Sequence, residues 1–410
     1  MRVAVLGGSS VATLQLARAI VEWPGGAERR PPLVLSLYGR HEAVLAPVLS
    51  GARAVLSPAV VTEATTRLDE ALAGADVALV QVRIGGLAAR AFDESFPQAV
   101  GLPGEETLGP GGLANAIRTL RALEEIWEGI KRMCPDALVL VLSNPAGIVR
   151  EAAEMHGLLA VEVCDSPVAF VGDVADRLCV PRSAVMARYV GMNHVGWYVP
   201  TDDAQLELLS DHQAVAPDVV RAHGALPLGY VRYYVDTDRI LETQRGRPTR
   251  AQELMDLDAA ARARLRSGQM PDAQVRPAPW YRLAVVPALD GWANGSGESM
   301  IMGCANGVRL ACLRARATIE SAARFPAPCR IEVQQVVDLP SIPSTLLYCH
   351  GVYEELAIAA AASPDRVTLL RALLANPMVA TASQAEALVD ALLAADPALL
   401  GSTTRGEDRS

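Results

Sequence analysis

The sequence predicts an α/β fold in which a doubly wound parallel sheet at the N-terminus is followed by an α+β C-terminal domain. Three observations support this prediction. Strand-like and helix-like segments alternate over about the first 165 residues, a glycine turn joins the first strand to the first helix, and the pattern becomes irregular afterwards. With 410 residues the chain is too long for one simple core, so two packed domains are expected. We place them at residues 1–165 and 166–400, and we expect the charged tail 401–410 to be disordered.

The N-terminal half contains short apolar runs typical of buried strands, separated by segments with helical periodicity. The predicted strands are Arg2–Leu6, Pro32–Tyr38, Val77–Val82, Ala137–Ser143 and Leu159–Val163. The predicted helices are Ala12–Glu22, Leu68–Ala73 and Leu113–Met133. Strands that alternate with helices indicate parallel βαβ units.

The C-terminal half mixes both element types without regular alternation. Strands are predicted at Arg188–Val199 and Arg330–Val337, and helices at Arg250–Arg266, Tyr353–Ala362, Asp365–Ala375 and Ala382–Ala394. Proline and glycine are frequent between residues 268 and 299, where we expect long loops. The last helices contain more Ala and Leu than one core face needs, so we expect a homo-oligomer, either a dimer or a tetramer.

Composition and charge exclude several classes of function. The net charge of -9 argues against nucleic acid as a partner, because a phosphate-binding surface needs clustered Lys and Arg. The apolar runs are strand-sized, which argues against a membrane partner, and the N-terminal run is too short for a secretory signal. The seven cysteines are scattered without CxxC pairs, which is typical of a reduced, cytoplasmic protein.

A glycine turn after the first predicted strand indicates a dinucleotide site and makes the N-terminal domain Rossmann-like. Gly7, Gly8, Ser9 and Ser10 open the following helix, where backbone N–H groups can approach a pyrophosphate at the positive helix end. The match to G-x-G-x-x-G is imperfect, because Ser9 and Ala12 stand where glycines are usual. A tight strand-to-helix turn without a cofactor is the alternative.

The end of the second predicted strand bears on the form of the dinucleotide. An acidic residue that binds the ribose hydroxyls is usual there, but this chain has Gly39 followed by Arg40. Arg40 could bind a 2′-phosphate, so NADP is the alternative to NAD, or it could be a solvated loop residue.

A series of short motifs along the chain carries a resemblance to a known family. The motifs are Asp76–Leu87 with Arg90, Gly104–Gly112, Ser143–Gly147, Val163–Pro167, Gly191–His194 and Leu226–Tyr234, with weaker similarity at Tyr353–Leu356 and Leu373–Pro377. In this order they resemble glycoside hydrolase family 4, the NAD- and divalent-metal-dependent phospho-glycosidases. The layout is most similar to that of the 6-phospho-β-glucosidases, and the resemblance covers residues 1 to about 240.

The resemblance implies a redox elimination that ends in net hydrolysis, which is an exception among glycosidases. In this family the nicotinamide takes a hydride from C3 of the sugar and later returns it, and a divalent ion, usually manganese, polarises the resulting ketone. A tyrosine removes the C2 proton, and the group at C1 is then eliminated.

The resemblance also assigns roles to residues of this chain. Tyr230 is the general base, with Tyr233 and Tyr234 as rivals in the same run, and Asp165 is placed to protonate the leaving group. The other assignments are Cys164 and His194 to the metal, Arg90 to the substrate phosphate, Asn144 and Asn193 to the sugar hydroxyls, and Arg83 to the cofactor, in addition to the glycine-turn residues and Arg40 considered above. A Cys and a His on different segments are chemically suited to a transition metal with open positions.

The chain departs from the family at informative places. Asp165 is typical of the phospho-α-glucosidases, since the β-acting members usually have Asn, so the anomeric preference stays open. The Gly295–Met302 segment and Gln334 also differ from the family pattern, which leaves a different or non-phosphorylated sugar as an alternative. Two further hypotheses are an NAD(P)-dependent hydroxy-acid dehydrogenase and a non-catalytic dinucleotide or sugar sensor.

Overall fold

The computed structural model of the protein describes residues 1–211, 214–271 and 277–395. Within these ranges the strands join into one 12-stranded sheet. The strands are β1 (Arg2–Leu6), β2 (Leu33–Tyr38), β3 (Val60–Thr65), β4 (Val77–Val80), β5 (Leu138–Val141), β6 (Ala160–Glu162), β7 (Tyr189–Met192), β8 (Val195–Tyr198), β9 (Leu226–Pro227), β10 (Ser299–Ala305), β11 (Thr318–Ala327) and β12 (Arg330–Val333). The predicted disordered tail, 401–410, lies outside the described residues.

Helices cover the sheet and extend the C-terminal part of the molecule. They are α1 (Thr13–Val21), α2 (Glu42–Val55), α3 (Leu68–Leu72), α4 (Gly86–Asp93), α5 (Pro110–Met133), α6 (Ala146–Met155), α7 (Asp165–Leu178), α8 (Arg182–Met186), α9 (Asp203–Ser210), α10 (Pro217–His223), α11 (Arg232–Val235), α12 (Thr237–Gln244), α13 (Arg250–Arg266), α14 (Val286–Asn294), α15 (Ser341–Ala362), α16 (Arg366–Ala375) and α17 (Ala382–Ala395). Short 3₁₀ turns occupy Phe96–Val100 and Gly229–Val231, and a π-helical turn, Tyr281–Val285, leads into α14. In the described part of the chain, none of these helices has the length and apolar character needed to span a bilayer.

The N-terminal half is a parallel sheet in the order β3-β2-β1-β4-β5-β6, as expected for a doubly wound fold. The central strands β1, β4, β5 and β6 are buried on both faces because helices cover both sides, whereas the edge strand β3 exposes Val61. Alternate residues enter different cores: in β1, Ala4 and Leu6 join one apolar cluster, and Val3 and Val5 join the other. The predicted α/β class with a Rossmann-like N-terminal half is confirmed.

The C-terminal half continues the same sheet with antiparallel strands in the order β10-β11-β7-β8-β9. The junction is the antiparallel pairing of Gly303 in β10 with Glu162 in β6. A Cβ atom at position 303 would lie 2.1 Å from the Glu162 side chain, so only glycine fits there. The sheet therefore runs across residue 165, where we place the division between the two domains.

Two expectations about the C-terminal half are wrong. The predicted single strand Arg188–Val199 is a hairpin of β7 and β8 that turns at Asn193 and His194, with His194 in the left-handed region at φ 66°. The predicted loop region 268–299 contains the π-turn and α14. Pro287 does not prevent this helix, because it lies in the first turn of α14, where proline is tolerated.

Candidate active site

A cavity of about 1120 Å³ opens at the carboxyl ends of the parallel strands. Part of its wall comes from the residues that follow β1, β2, β4, β5 and β6 and from the β7–β8 turn, and α5 and α13 contribute other parts. Open α/β sheets place their ligands at this edge. Every residue with a first-choice role from the sequence lines this cavity except Gly8, whereas the rival tyrosines Tyr233 and Tyr234 do not line it.

The glycine turn after β1 forms one end of the cavity. Gly7 has φ 96°, and a Cβ there would lie 2.9 Å from the carbonyl oxygen of Gln81, so the turn requires glycine. Among the described residues, the backbone N–H groups of Ser9 and Val11 have no acceptor, so they are available to a bound anion. The N–H of Gly8 instead donates to the carbonyl of Tyr38 at 2.7 Å. Gly8 therefore fixes the turn against β2 and does not line the cavity. The turn suits a pyrophosphate.

The end of β2 lies against this turn. A Cβ at Gly39 would lie 2.9 Å from the Cβ of Ser9, so the two segments are packed too closely for a larger residue at 39 without a shift. Arg40 follows, is exposed, and lines the cavity. Arg262 of α13 approaches from the other side, with its guanidinium 3.4 Å from the carbonyl oxygen of Ser9.

Cys164 and His194, the predicted metal ligands, line the same cavity from different segments. Cys164 directly precedes α7, and burial raises the pKa of its thiol well above the usual range. Burial lowers the pKa of His194 to about 4, with a nearby Glu106 charge acting in the opposite direction, so the ring is neutral at pH 7. Its buried Nδ1 has no hydrogen-bond partner within the described residues.

An imidazole lone pair and a thiol that face one cavity are a donor set that fits a divalent transition metal. In the described part of the chain, no group of three or more His, Cys, Asp or Glu residues forms a more complete metal site. The protein thus offers Cys164 and His194, and the remaining coordination positions would be open to substrate or water.

The three tyrosines of the Leu226–Tyr234 motif have different environments. Tyr230 lines the main cavity, and its ring stacks on His194. Tyr233 lines a smaller side cavity of about 300 Å³ and lies under the guanidinium of Arg232. Tyr234 is directed away, since its hydroxyl donates to the carbonyl of Leu108 at 3.2 Å and lies 2.8 Å from His350 Nδ1. Of the three rings, that of Tyr230 is the one stacked on a predicted metal ligand, His194.

Asp165 begins α7 and is half-buried. Burial raises the pKa of its carboxyl above the ordinary value, partly offset by hydrogen bonds from the backbone N–H groups of Asp165 itself and Ser166. A raised pKa makes the protonated form of the carboxyl more accessible, which suits a group that donates a proton to a leaving group.

Arg83 and Arg90 are joined by a buried carboxylate that the sequence analysis did not assign. Glu106 forms ion pairs with both guanidiniums, with 2.9 Å to Arg90 Nη1, and Arg90 Nε also donates to Glu94 at 2.6 Å. These two cations lower the pKa of Glu106 despite its burial, so it is ionised and holds both arginines at the cavity wall. The glycine-rich loop around Glu106 was the only sequence signal for it.

Asn193 and Asn144 reach the cavity next to the Cys and His side chains. Asn193 is fixed on both sides: its Nδ2 donates to Glu162 Oε1 at 3.1 Å, and its Oδ1 accepts the N–H of Ala146 at 3.3 Å. Asn144 is fixed through its backbone, whose carbonyl accepts a hydrogen bond from Asn115 at 3.0 Å. Its side-chain amide is thus presented by a rigid segment.

Arg250 is a further cavity residue that the sequence did not reveal. It is the first residue of α13, directly after the Thr249 cap, and it lines the main cavity and the side cavity. Its local sequence is that of an ordinary charged helix, so nothing in the pattern marks it as a site residue.

The chain is similar in sequence and in fold to known glycosidases. The profile of family 4 glycosyl hydrolases matches residues 40–180, and that of the family's C-terminal domain matches residues 189–379. A probable 6-phospho-beta-glucosidase of Bacillus subtilis is 27% identical over 81% of this chain and 81% of its own. A maltose-6'-phosphate glucosidase of the same organism is 28% identical over 83% of both chains.

Among solved structures, the 6-phospho-beta glucosidase of Thermotoga maritima superposes with a TM-score of 0.86 at 21% identity, over 98% of this chain and 99% of its own. That structure holds NAD and glucose-6-phosphate, and another structure of the same enzyme also holds manganese. The sequence profiles match both halves of this protein, and the predicted resemblance is confirmed. The chain belongs to glycosyl hydrolase family 4 and is a glycosidase.

Proposed function

We propose that this protein hydrolyses 6-phosphoglucosides with NAD(P) and a divalent manganese ion as cofactors. The observation that carries the proposal is the meeting of four groups in one cavity: the glycine turn after β1, the Cys164 and His194 pair, the Tyr230 phenol and the Asp165 carboxyl. A dinucleotide, a metal ion, a base and an acid are the parts that the redox elimination requires.

Each cofactor has residues that fit it. The N–H groups of Ser9 and Val11, which have no acceptor within the described ranges, suit the pyrophosphate, and Cys164 and His194 would hold the metal ion. When bound, the dinucleotide would supply a reversible hydride acceptor, and the divalent ion would supply Lewis-acid polarisation of a ketone and positive charge near the Tyr230 phenol.

The residues of this chain perform the proton transfers and hold the sugar. Tyr230 removes the proton from the carbon next to the oxidised one, and Asp165 donates a proton to the oxygen of the leaving group. Asn144 and Asn193 hold the hydroxyls near the reacting carbons, so the proton to be removed faces the phenol.

A phosphorylated sugar is favoured by the charge of the cavity wall. Arg83, Arg90 and Arg250 line it, and Glu106 neutralises only part of their charge. Guanidinium groups bind phosphate with strong, charge-assisted hydrogen bonds. We assign the phosphate to Arg90, with Arg250 as a second cation, and Arg83 to the cofactor.

Family membership favours hydrolysis over the two alternative hypotheses. A hydroxy-acid dehydrogenase would accumulate reduced cofactor, and a sensor would have no need of an acid and a base beside a metal ligand pair. The free state of all seven cysteines supports a reducing, cytoplasmic setting, and the apolar C-terminal helices support a homo-oligomer.

The proposal is tested by the ratio of kcat/KM for p-nitrophenyl 6-phosphoglucosides to that for the unphosphorylated glucosides, measured for both anomers. We expect kcat/KM to be higher for the phosphorylated compounds by at least about a hundredfold. A substrate without a phosphate leaves the arginines of the site without a partner, and this lowers kcat/KM by at least that factor. Equal activity on both would contradict the phosphate assignment.

A further inference from the structure

We infer that the adenosine end of the cavity is built for a 2′-phosphate, so that NADP⁺ binds more tightly than NAD⁺. This inference rests on the proposed function, since it concerns which dinucleotide that function uses. It depends on three features around the end of β2: a missing acid, an unpaired arginine and a second cation packed on the glycine turn.

The missing acid is the first feature. In dinucleotide-binding folds, an Asp or Glu at the end of the second strand accepts hydrogen bonds from the ribose hydroxyls of NAD and repels a 2′-phosphate. Here Gly39 takes that place, and its close contact with Ser9 leaves no room for a carboxylate side chain. The neighbouring acids do not replace it, because Glu42 and Glu63 do not line the cavity and Glu63 is paired with Arg2.

The second feature is Arg40, which is exposed, lines the cavity, and has no hydrogen bond or ion pair within the described residues. Its charge is felt by its neighbour, since it lowers the pKa of the Tyr38 phenol against the larger effect of burial. An unpaired guanidinium next to the ribose position is the usual partner of a 2′-phosphate.

The third feature is the positive charge that α13 contributes on the side of the cavity opposite Arg40. Arg262 and Arg266 of α13 both line the cavity, and Arg262 reaches the carbonyl of Ser9 while it donates to Asp258 at 2.6 Å. Because Ser9 also contacts position 39, Arg262 and Arg40 flank the same point of the cavity.

The acid Glu125 lies near Tyr38 as well, but Arg121 lies one turn before it on α5 and also lines the cavity. The balance of charge favours an anion.

The test is the dissociation constant of each dinucleotide, measured by titration calorimetry on the full-length protein freed of copurified nucleotide, without metal or sugar. We expect NADP⁺ to bind about tenfold more tightly than NAD⁺, as one charge-assisted contact provides. Arg40→Ala should weaken NADP⁺ binding about tenfold and leave the dissociation constant of NAD⁺ unchanged within about twofold. Arg330→Ala, which removes an exposed arginine of β12 away from the cavity, is the matched control and should change neither constant.

Each other outcome overturns the inference. NAD⁺ binding as tightly as NADP⁺, or an equal loss of both in Arg40→Ala, would show that no 2′-phosphate site exists at Arg40. Binding of NAD⁺ alone would leave the proposed function intact, whereas binding of neither dinucleotide would contradict the proposed function as well.

Discussion

The imidazole of His194 lies flat on the phenol ring of Tyr230, with ring centroids 4.1 Å apart and ring planes 10° apart. The two residues come from different elements, the β7–β8 turn and the 3₁₀ turn Gly229–Val231, so the stack fixes their relative position. A metal ligand and a base held side by side would face adjacent carbons of one sugar. Burial raises the pKa of the Tyr230 phenol, so in the proposed role of base it would need nearby positive charge to ionise.

Replacing Tyr230 by Phe should lower kcat by about 10²- to 10⁴-fold, the usual contribution of a general base. KM and dinucleotide affinity should change little, because the ring and its stack on His194 remain. The matched control is Tyr233→Phe, which removes a hydroxyl from the side cavity and should retain most activity. Steady-state kinetics on one 6-phosphoglucoside checks both, and a larger loss in Tyr233→Phe would reassign the base.

Replacing Asp165 by Asn should have an effect that depends on the leaving group. Alkyl glycosides need a proton on the departing oxygen, so we expect their kcat to fall by about 10²-fold or more. The kcat of p-nitrophenyl glycosides should fall far less, because p-nitrophenolate leaves without help. An equal loss for both substrate types would indicate that Asp165 acts on the Cys164 side chain or on folding.

Replacing Arg90 by Met should raise KM for phosphorylated substrates by roughly 10- to 100-fold, as expected for the loss of one charge-assisted hydrogen-bonding partner. The KM for unphosphorylated glucosides should not rise. Because Glu106 would lose a partner, the melting temperature must be measured in parallel, with Arg83→Met as the control that leaves the Arg90–Glu106 pair intact. Similar KM effects in the two variants would contradict the assignment of the phosphate to Arg90.

Glu320 and Glu162 form a buried pair of carboxyls behind Asn193, and Tyr189 donates a hydrogen bond to Glu320 at 2.8 Å. Burial raises the pKa of Glu320 to about 7. The protonated form therefore stabilises the folded state fully below about pH 4.5, and this contribution, on the order of 3 kcal/mol, is lost as the pH rises through 7.

Glu320→Gln retains the hydrogen bonds without a titrating group, so its free energy of unfolding should decline less than that of the natural protein between pH 5 and about pH 8. Denaturant unfolding at a series of pH values measures this difference. Glu332→Gln changes an exposed acid paired with Arg324, and its free energy of unfolding should decline with pH as much as that of the natural protein. Parallel declines in all three proteins would show that Glu320 is already ionised at pH 5.

Much of the site was predictable because the carboxyl ends of parallel strands meet at one edge. Gly7, Asn144 and Cys164 lie one, three and two residues after the ends of β1, β5 and β6, so the strand pattern alone brings them together. His194 and Tyr230 carry no such local signal. Their assignment depends on the family resemblance, since the hairpin that presents His194 was predicted as one continuous strand.

The remaining site residues depend on contacts that a local pattern does not contain. Glu106 acquires its role only when it meets Arg83 and Arg90, 23 residues away in the case of Arg83, in a buried position. Arg250 and Arg262 belong to a helix whose sequence is that of a solvated surface element. Tertiary packing places one face of that helix over the cavity.

The most direct test of the account is the release of p-nitrophenol from α- and β-linked 6-phosphoglucosides under reducing conditions, with Mn²⁺ and NAD(P)⁺ supplied together, singly or not at all. The account predicts turnover only when both are present, with no net accumulation of reduced cofactor. The preferred anomer would show whether the protein acts as a phospho-α-glucosidase, of which Asp165 is typical, or as a 6-phospho-β-glucosidase. Turnover at full rate without dinucleotide, or without metal in the presence of a chelator, would contradict it.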